Sequence, residues 1–205
     1  MEQRSKSWFD ARLGKFTASE IHKLMGIKGL GKTGESYCFE KAVEKVFGRN
    51  EDEQFESFDM KRGIELEPIA FSKFKELKAL DFIDVQNTTF FPFGEDSGAS
   101  PDGLVGNDKC LEIKCPKSVK FFNLVSGGFD EIDKEYFYQM QHQMLCSNSV
   151  SCYFFNYLIM NGKEYWHEIE VQRDEETINL MKIRIKEAIE IRNRFIEKLI
   201  ENRQF

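Results

Sequence analysis

Between Gly98 and Pro116 the chain reads Gly-Ala-Ser-Pro-Asp-Gly-Leu-Val-Gly-Asn-Asp-Lys-Cys-Leu-Glu-Ile-Lys-Cys-Pro, and no other stretch restricts the fold as strongly. From Cys110 to Cys115 apolar and charged residues alternate. A strand has period two, so Glu112 and Lys114 share one face while Leu111, Ile113 and Cys115 turn to the core. Gly-Asn-Asp-Lys supplies the turn of a hairpin. Upstream, Ser-Pro-Asp-Gly bends the chain, which suits an edge strand with Asp102 at an exposed bend. Asp102 can face Glu112 only if the turn is the three-residue loop Gly106-Asn107-Asp108 or a bulge falls near Gly103, because a four-residue loop puts it on the opposite face. That irregularity is expected.

Two carboxylates side by side raise each other's proton affinity unless a cation lies between them. A hard divalent ion such as Mg²⁺, held by one or two carboxylates with water and substrate phosphate, removes the conflict and activates water. Lys114, on the same face, can orient or deprotonate that water and shield a phosphate. The other reading is a surface hairpin with an ordinary Glu-Lys pair. It loses ground because Asp102 stands ten residues upstream of Glu112.

Pro101-Asp102 with Glu112-Ile113-Lys114 resembles the PD-(D/E)XK nuclease superfamily. The wider strings, Ser-Pro-Asp-Gly-Leu and Leu-Glu-Ile-Lys-Cys-Pro, are similar to its lambda exonuclease branch, the YqaJ-type viral recombinase family.

Composition sets the bounds. A chain of 205 residues with 41% hydrophobic and 31% charged residues is expected to form one domain over residues 1–205, which the resemblance makes a nuclease domain, with no segment apolar enough to span a bilayer. Met-Glu-Gln-Arg-Ser-Lys-Ser lacks the apolar core of a signal peptide, so a cytoplasmic location is expected. The five cysteines have no Cys-x-x-Cys spacing and read as reduced thiols. A net charge of −6 argues against a protein that merely coats nucleic acid, although residues 1–34 hold seven basic against three acidic side chains.

The rest of the chain falls into recognisable pieces. Thr17-Ala18-Ser19-Glu20 reads as a capping box opening a short helix that ends near Gly26. Residues 26–34 satisfy both P-loop and dinucleotide patterns, yet a helix-like segment rather than a buried strand precedes them, so no nucleotide cofactor is expected and Lys28 and Lys32 are left near DNA. A helix over 35–48, an acidic linker over 50–56 and a helix over 58–80, kinked at Pro68 with Ile64, Ile69, Phe71, Phe74 and Leu77 buried, come next. Residues 84–93 read as one strand, 119–126 as a short helix, and 131–146 as a helix with Gln139, Met140, Gln141, His142 and Gln143 on it. Only one polar stripe of that helix is expected to face the site. Asn161-Gly162 joins two strands over 151–160 and 163–171. A final helix then packs on the sheet, leaving Lys182, Lys186, Arg192 and Arg194 wet.

From residues alone Arg12 and Ser19, at a helix start with unpaired N–H groups, either hold a phosphate together or belong to a plain capped helix with a solvated Arg12, while Glu65 and Glu67 read as solvated and the glutamines as a wet stripe. The resemblance implies more. Arg-Leu-Gly followed by Thr-Ala-Ser-Glu resembles the family's N-terminal motif, which assigns Arg12 and Ser19 to the terminal 5′-phosphate of DNA. Gly-x-x-x-Glu, counted from Gly63, selects Glu67 as a third carboxylate. The run through Tyr136 to Gln139-Met-Gln141 places Gln139 at the active site, with Gln141 as a further contact.

The implied fold is mixed α/β, a restriction-endonuclease-like core with a central, mostly antiparallel sheet flanked by helices. The implied activity is Mg²⁺-dependent 5′-to-3′ digestion of double-stranded DNA ends, releasing 5′-mononucleotides and leaving 3′ single strands for recombination. Asp102, Glu112 and the Ile113 carbonyl would hold one ion, Glu67 with Asp102 a second, and Lys114 would activate water, with Mn²⁺ able to replace Mg²⁺. A homotrimeric ring and a single-strand annealing protein are the implied partners. An endonuclease of the same superfamily and a non-catalytic DNA-binding module are the rival classes.

Overall fold

The computed structural model of the chain describes residues 3–49 and 58–201, so the acidic linker expected over 50–56 lies outside the described residues. A five-stranded sheet in the order β2-β5-β6-β7-β8 forms the centre, and a three-stranded sheet, β1-β4-β3, stands beside it. In chain order these strands are β1 (Phe16–Thr17), β2 (Val85–Gln86), β3 (Phe91–Phe93), β4 (Ser97–Ala99), β5 (Gly103–Val105), β6 (Lys109–Lys114), β7 (Ser151–Met160) and β8 (Lys163–Gln172). The central sheet is antiparallel except where β6 and β7 run parallel, joined by a helical crossover. The fold is the expected mixed α/β class with a mostly antiparallel sheet.

The local signals explain the frame. Val105 pairs with Lys109, so the hairpin turn is the three-residue loop Gly106-Asn107-Asp108, with Gly106 at φ +59°. Asn161 and Gly162, at φ +52° and +72°, make the tight turn between β7 and β8. β7 is buried on both faces, which is why Cys-Tyr-Phe-Phe reads as a continuous apolar run. Tyr153, Phe155 and Tyr157 pack toward α3 (Phe58–Leu80) with Ala70 and Phe74. Cys152 and Phe154 pack on the opposite face with Met140 and Met144 of α5 (Lys134–Ser147).

Several expectations change. Residues 84–93 divide into β2 and β3, which belong to different sheets. β5 is not an edge strand, because β2 covers it, and Asp102 is half-buried rather than exposed. No capping box forms. Thr17 belongs to β1, its side chain makes no cap bond, and a 3₁₀ helix over Ala18–Leu24 follows while Glu20 pairs with Lys23. That helix, not a strand, precedes the glycine-rich stretch, and α2 (Gly31–Phe47) begins four residues earlier than expected. α3 runs unbroken through Pro68, and Ile69 is exposed while Ala70 takes the core position.

On α5, Gln141, His142 and Gln143 are all fully buried. The helix lies between elements on several sides, and each polar side chain has its own partner. Gln141 bonds the Gln172 carbonyl and the Asp174 N–H, His142 Nε2 lies 3.0 Å from Ser97 Oγ, and Gln143 reaches Glu112. Burial pushes His142 down to about 3, so the ring is neutral.

The last helix, α6 (Glu175–Glu201), packs on α2 rather than on the central sheet, and touches the small sheet through Phe16. Its Met181, Ile185 and Ala188 join Leu24, Tyr37 and Cys38 in a third core cluster beside α2. Arg192 is buried there, 1% exposed, donating to Gly14 O and Asp96 Oδ1. The helix crossing β6 to β7 begins with α4 (Ser118–Gly127). All five cysteines are free thiols, and no described helix is long and apolar enough to cross a membrane.

Candidate active site

The site is built outward from β6. Because Gly103 pairs with Leu111, the next step of the ladder sets Asp102 against Glu112. The Asp102 N–H donates to the Leu111 carbonyl at 2.8 Å, and the Ile113 N–H donates to Asp102 Oδ2 at 2.7 Å. Backbone geometry, not side-chain freedom, therefore fixes Asp102 beside its partner acid.

Glu112 is 2% exposed, and both its oxygens are occupied. Oε1 accepts from Gln139 Nε2 at 2.7 Å and lies 2.5 Å from Lys114 Nζ, while Oε2 accepts from Gln143 Nε2 at 2.5 Å. Gln139 and Gln143 stand one helical turn apart on α5, so their amides reach the same carboxylate from one face. Lys114 also donates to Gln139 Oε1 at 3.3 Å and sits 4.8 Å over the Tyr136 ring.

The electrostatics are those of crowded acids. Burial, then the charges of Glu112 and Glu67, raise the Asp102 carboxyl well above the usual range. Burial pulls Lys114 down, but Glu112 and Asp102 outweigh it and the net shift is upward, which keeps Lys114 an ammonium.

These groups line one cleft of about 480 Å³. Asp102, Glu112, Ile113, Lys114, Gln139 and Glu67 lie along it together with Arg12 and Ser19. Arg12 stacks on Trp8 at 4.0 Å, and burial lowers it to about 10, so it stays charged near neutral pH. Trp8 is anchored in turn by Nε1 donating to Ser100 Oγ at 3.0 Å.

Gln141 alone among the expected site residues does not reach the cleft, because its amide is spent on the β8–α6 junction. Gln143, Arg4 and Trp8 are among the residues that sequence reasoning does not place at the site. The i,i+4 spacing from Gln139 was a usable signal for Gln143. Nothing in the sequence marks Arg4, whose Nη2 lies 2.7 Å from Glu67 Oε2.

The donor set fits a hard cation. Asp102 and Glu112 are oxygen ligands whose mutual repulsion a divalent ion would relieve, and the Ile113 carbonyl belongs to the same strand. Among the described residues no group of three His, Cys, Asp or Glu is placed to hold a metal ion, and Glu67 is paired with Arg4.

Comparison with known proteins agrees with this geometry. Residues 7–149 match the model of the YqaJ-like viral recombinase domain. An alkaline exonuclease from Laribacter hongkongensis superposes with a TM-score of 0.80 at 29% identity, covering 96% of this chain and 97% of that one. Its structure in complex with dAMP superposes equally well, at 30% identity with 95% and 96% covered. A phage-related exonuclease from Haemophilus somnus 129PT shares the fold, with a TM-score of 0.70 at 18% identity and coverage of 93% and 99%. No curated protein matches the sequence. The ladder, the paired acids and these likenesses agree that the chain is a nuclease, a hydrolase of DNA, and that it belongs to the YqaJ-like viral recombinase domain family.

Proposed function

We propose that this chain is a Mg²⁺-dependent 5′-to-3′ exonuclease of double-stranded DNA ends, acting as one nuclease domain in the cytoplasm of a bacterial or phage-infected cell. It releases 5′-mononucleotides and leaves 3′ single strands for recombination by strand annealing. The observation that carries this reading is the continuity of the cleft, which joins the Asp102-Glu112-Lys114-Gln139 cluster to Arg12 and Ser19. A relative crystallised with dAMP suits a reaction that ends in a mononucleotide.

In this reading Asp102, Glu112 and the Ile113 carbonyl would hold one Mg²⁺, and Glu67 with Asp102 would hold a second, with Mn²⁺ able to use the same oxygen ligands. A metal bound there would supply an activated water and neutralise charge developing on the phosphate. Lys114, kept protonated by Glu112 and Asp102, orients the attacking water and faces the phosphate as a cation. Gln139 ties Lys114 to Glu112, fixing both. At the other end, Arg12 and the Ser19 hydroxyl receive the terminal phosphate and set which bond lies over the acids. A homotrimeric ring beside a single-strand annealing protein is the assembly that the family resemblance supports.

The deciding experiment is digestion of linear duplex carrying a 5′-phosphate or a 5′-hydroxyl, with a closed circle alongside, in Mg²⁺ or chelator. Mononucleotides from the phosphorylated linear substrate in Mg²⁺ are the expected products. Nicking of the circle would establish the endonuclease instead, and no cleavage anywhere would leave a binding module.

Two further results are expected. Gln143→Leu removes the donor to Glu112 Oε2 and should lower kcat by about 10–100-fold with intact folding; unchanged turnover would show that Gln139 and Lys114 suffice to hold Glu112. Arg4→Gln frees Glu67 from a half-exposed pair and should lower the half-saturating Mg²⁺ concentration by about two- to fivefold. An unmoved Mg²⁺ titration would mean that Arg4 and the ion do not compete for Glu67.

A further inference from the structure

Arg192 takes no part in the chemistry of the cleft, yet its buried charge ends on a backbone unit next to it. Nη1 donates to the Gly14 carbonyl at 3.0 Å and Nη2 to Asp96 Oδ1 at 2.7 Å. From α2, Glu44 Oε2 accepts the Gly14 N–H at 3.0 Å, while Lys41 holds Glu44 Oε1 at 2.6 Å. Gly14 lies at φ +67°, and a Cβ there would stand 3.0 Å from Lys45 Cβ, so both conformation and close approach demand glycine. A guanidinium and a carboxylate thus grip both polar groups of one residue.

That residue lies between Arg12 and Ser19. Spanning it, the Lys15 N–H donates to the Arg12 carbonyl at 3.1 Å. Downstream, the Phe16 N–H donates to the Asp96 carbonyl at 2.9 Å, Ser97 Oγ donates to the Phe16 carbonyl at 2.8 Å, and the Thr17 N–H donates to the Tyr37 hydroxyl at 3.2 Å. The backbone from Arg12 to Thr17 is pinned to α2, α6 and the start of β4; Arg12 stands at its first residue and Ser19 two residues past its last, in the 3₁₀ helix. Charge-assisted bonds are the stronger kind, and the two at Gly14 are of that kind.

We propose that Arg192 and Glu44 are positioning residues for end recognition, clamping Gly14 so that Arg12 and Ser19 keep the spacing that receives one terminal phosphate. The proposal rests on the reading of Arg12 and Ser19 as the 5′-phosphate site.

The test compares wild type with Arg12→Ala, Glu44→Ala and Arg192→Lys on linear duplex bearing 5′-phosphate or 5′-hydroxyl, with melting temperatures in parallel. Glu44→Ala is the safer variant, because Lys41 keeps Glu40 at 3.4 Å and Glu20 at 3.8 Å. Arg192→Lys keeps a cation for Asp96 but cannot also serve the Gly14 carbonyl with a second nitrogen. Each clamp variant should raise KM for the phosphorylated duplex about tenfold, leave kcat within about twofold, and change the hydroxyl substrate little. Glu44→Ala added to Arg12→Ala should cause no further loss of preference. Clamp variants that keep the wild-type preference while Arg12→Ala loses it would overturn the proposal, as would equal losses on both substrates that follow the melting temperature. If Arg12→Ala itself keeps the preference, the phosphate-site reading fails instead.

Discussion

Asp102→Asn should lower turnover by roughly 10³-fold, about 4 kcal/mol of transition-state stabilisation, and at the same time make the metal-free protein more stable. The two effects have one cause. Asp102 is wedged against Glu112 with Glu67 near, and both acids push its proton affinity upward. Removing its charge relieves that repulsion by on the order of 1–2 kcal/mol while retaining the side-chain volume and an oxygen for the Ile113 N–H. The pH dependence follows with a definite sign. A carboxyl raised in the folded state contributes stability that is full below its unfolded value of 3.8 and is lost as pH rises through the folded value. In chelator, wild type should therefore lose stability above about pH 4 relative to Asp102→Asn, and Mg²⁺ should restore wild type without restoring the variant. Thermal melts across pH with and without Mg²⁺ check this. Melting temperatures that coincide in chelator, or a variant that still digests DNA, would remove Asp102 from the centre of the site.

The legibility of this site in the sequence follows the range of the interactions concerned. Alternation along Cys110–Cys115 is local, and with the short loop it dictates that Asp102 meets Glu112, which the ladder reproduces. Asn161-Gly162 is equally local. Arg12, Ser19, Glu67 and Gln139 came through resemblance, since no spacing rule distinguishes them from wet side chains. The burial of three successive polar residues on α5 is illegible for a different reason. Gln141, His142 and Gln143 are buried because Asp174, Ser97 and Glu112 are brought to them by other elements, and a helical period carries no record of such partners. A glutamine that closes a strand–helix junction and one that holds an active-site acid look alike on a helical wheel.

Arg192 sharpens the same point and sets the largest stability effect expected. On α6 it reads as one more solvated cation among Lys182, Lys186 and Arg194, all of which are exposed. Its surroundings instead oblige it to be charged and paired, because Asp96 Oδ1 accepts from both Arg192 Nη2 and Lys45 Nζ, at 2.7 and 2.9 Å. Asp96→Ala leaves a guanidinium buried beside Phe16 without its anion and should destabilise the fold by about 3–5 kcal/mol. For a chain of this length that corresponds to a melting temperature lower by about 10 °C. Burial pushes the Asp96 carboxyl up, but hydrogen bonds and charge from Lys45 and Arg192 outweigh it and hold it below its ordinary value. Its contribution is therefore present above about pH 4 and is lost as pH falls through the folded value, so the acid limb of wild-type unfolding should be steeper than that of Asp96→Ala. Acid titrations of both proteins followed by circular dichroism decide the matter. Parallel limbs with an unchanged melting temperature would mean that water reaches Arg192 and that the pair contributes no more than a surface contact.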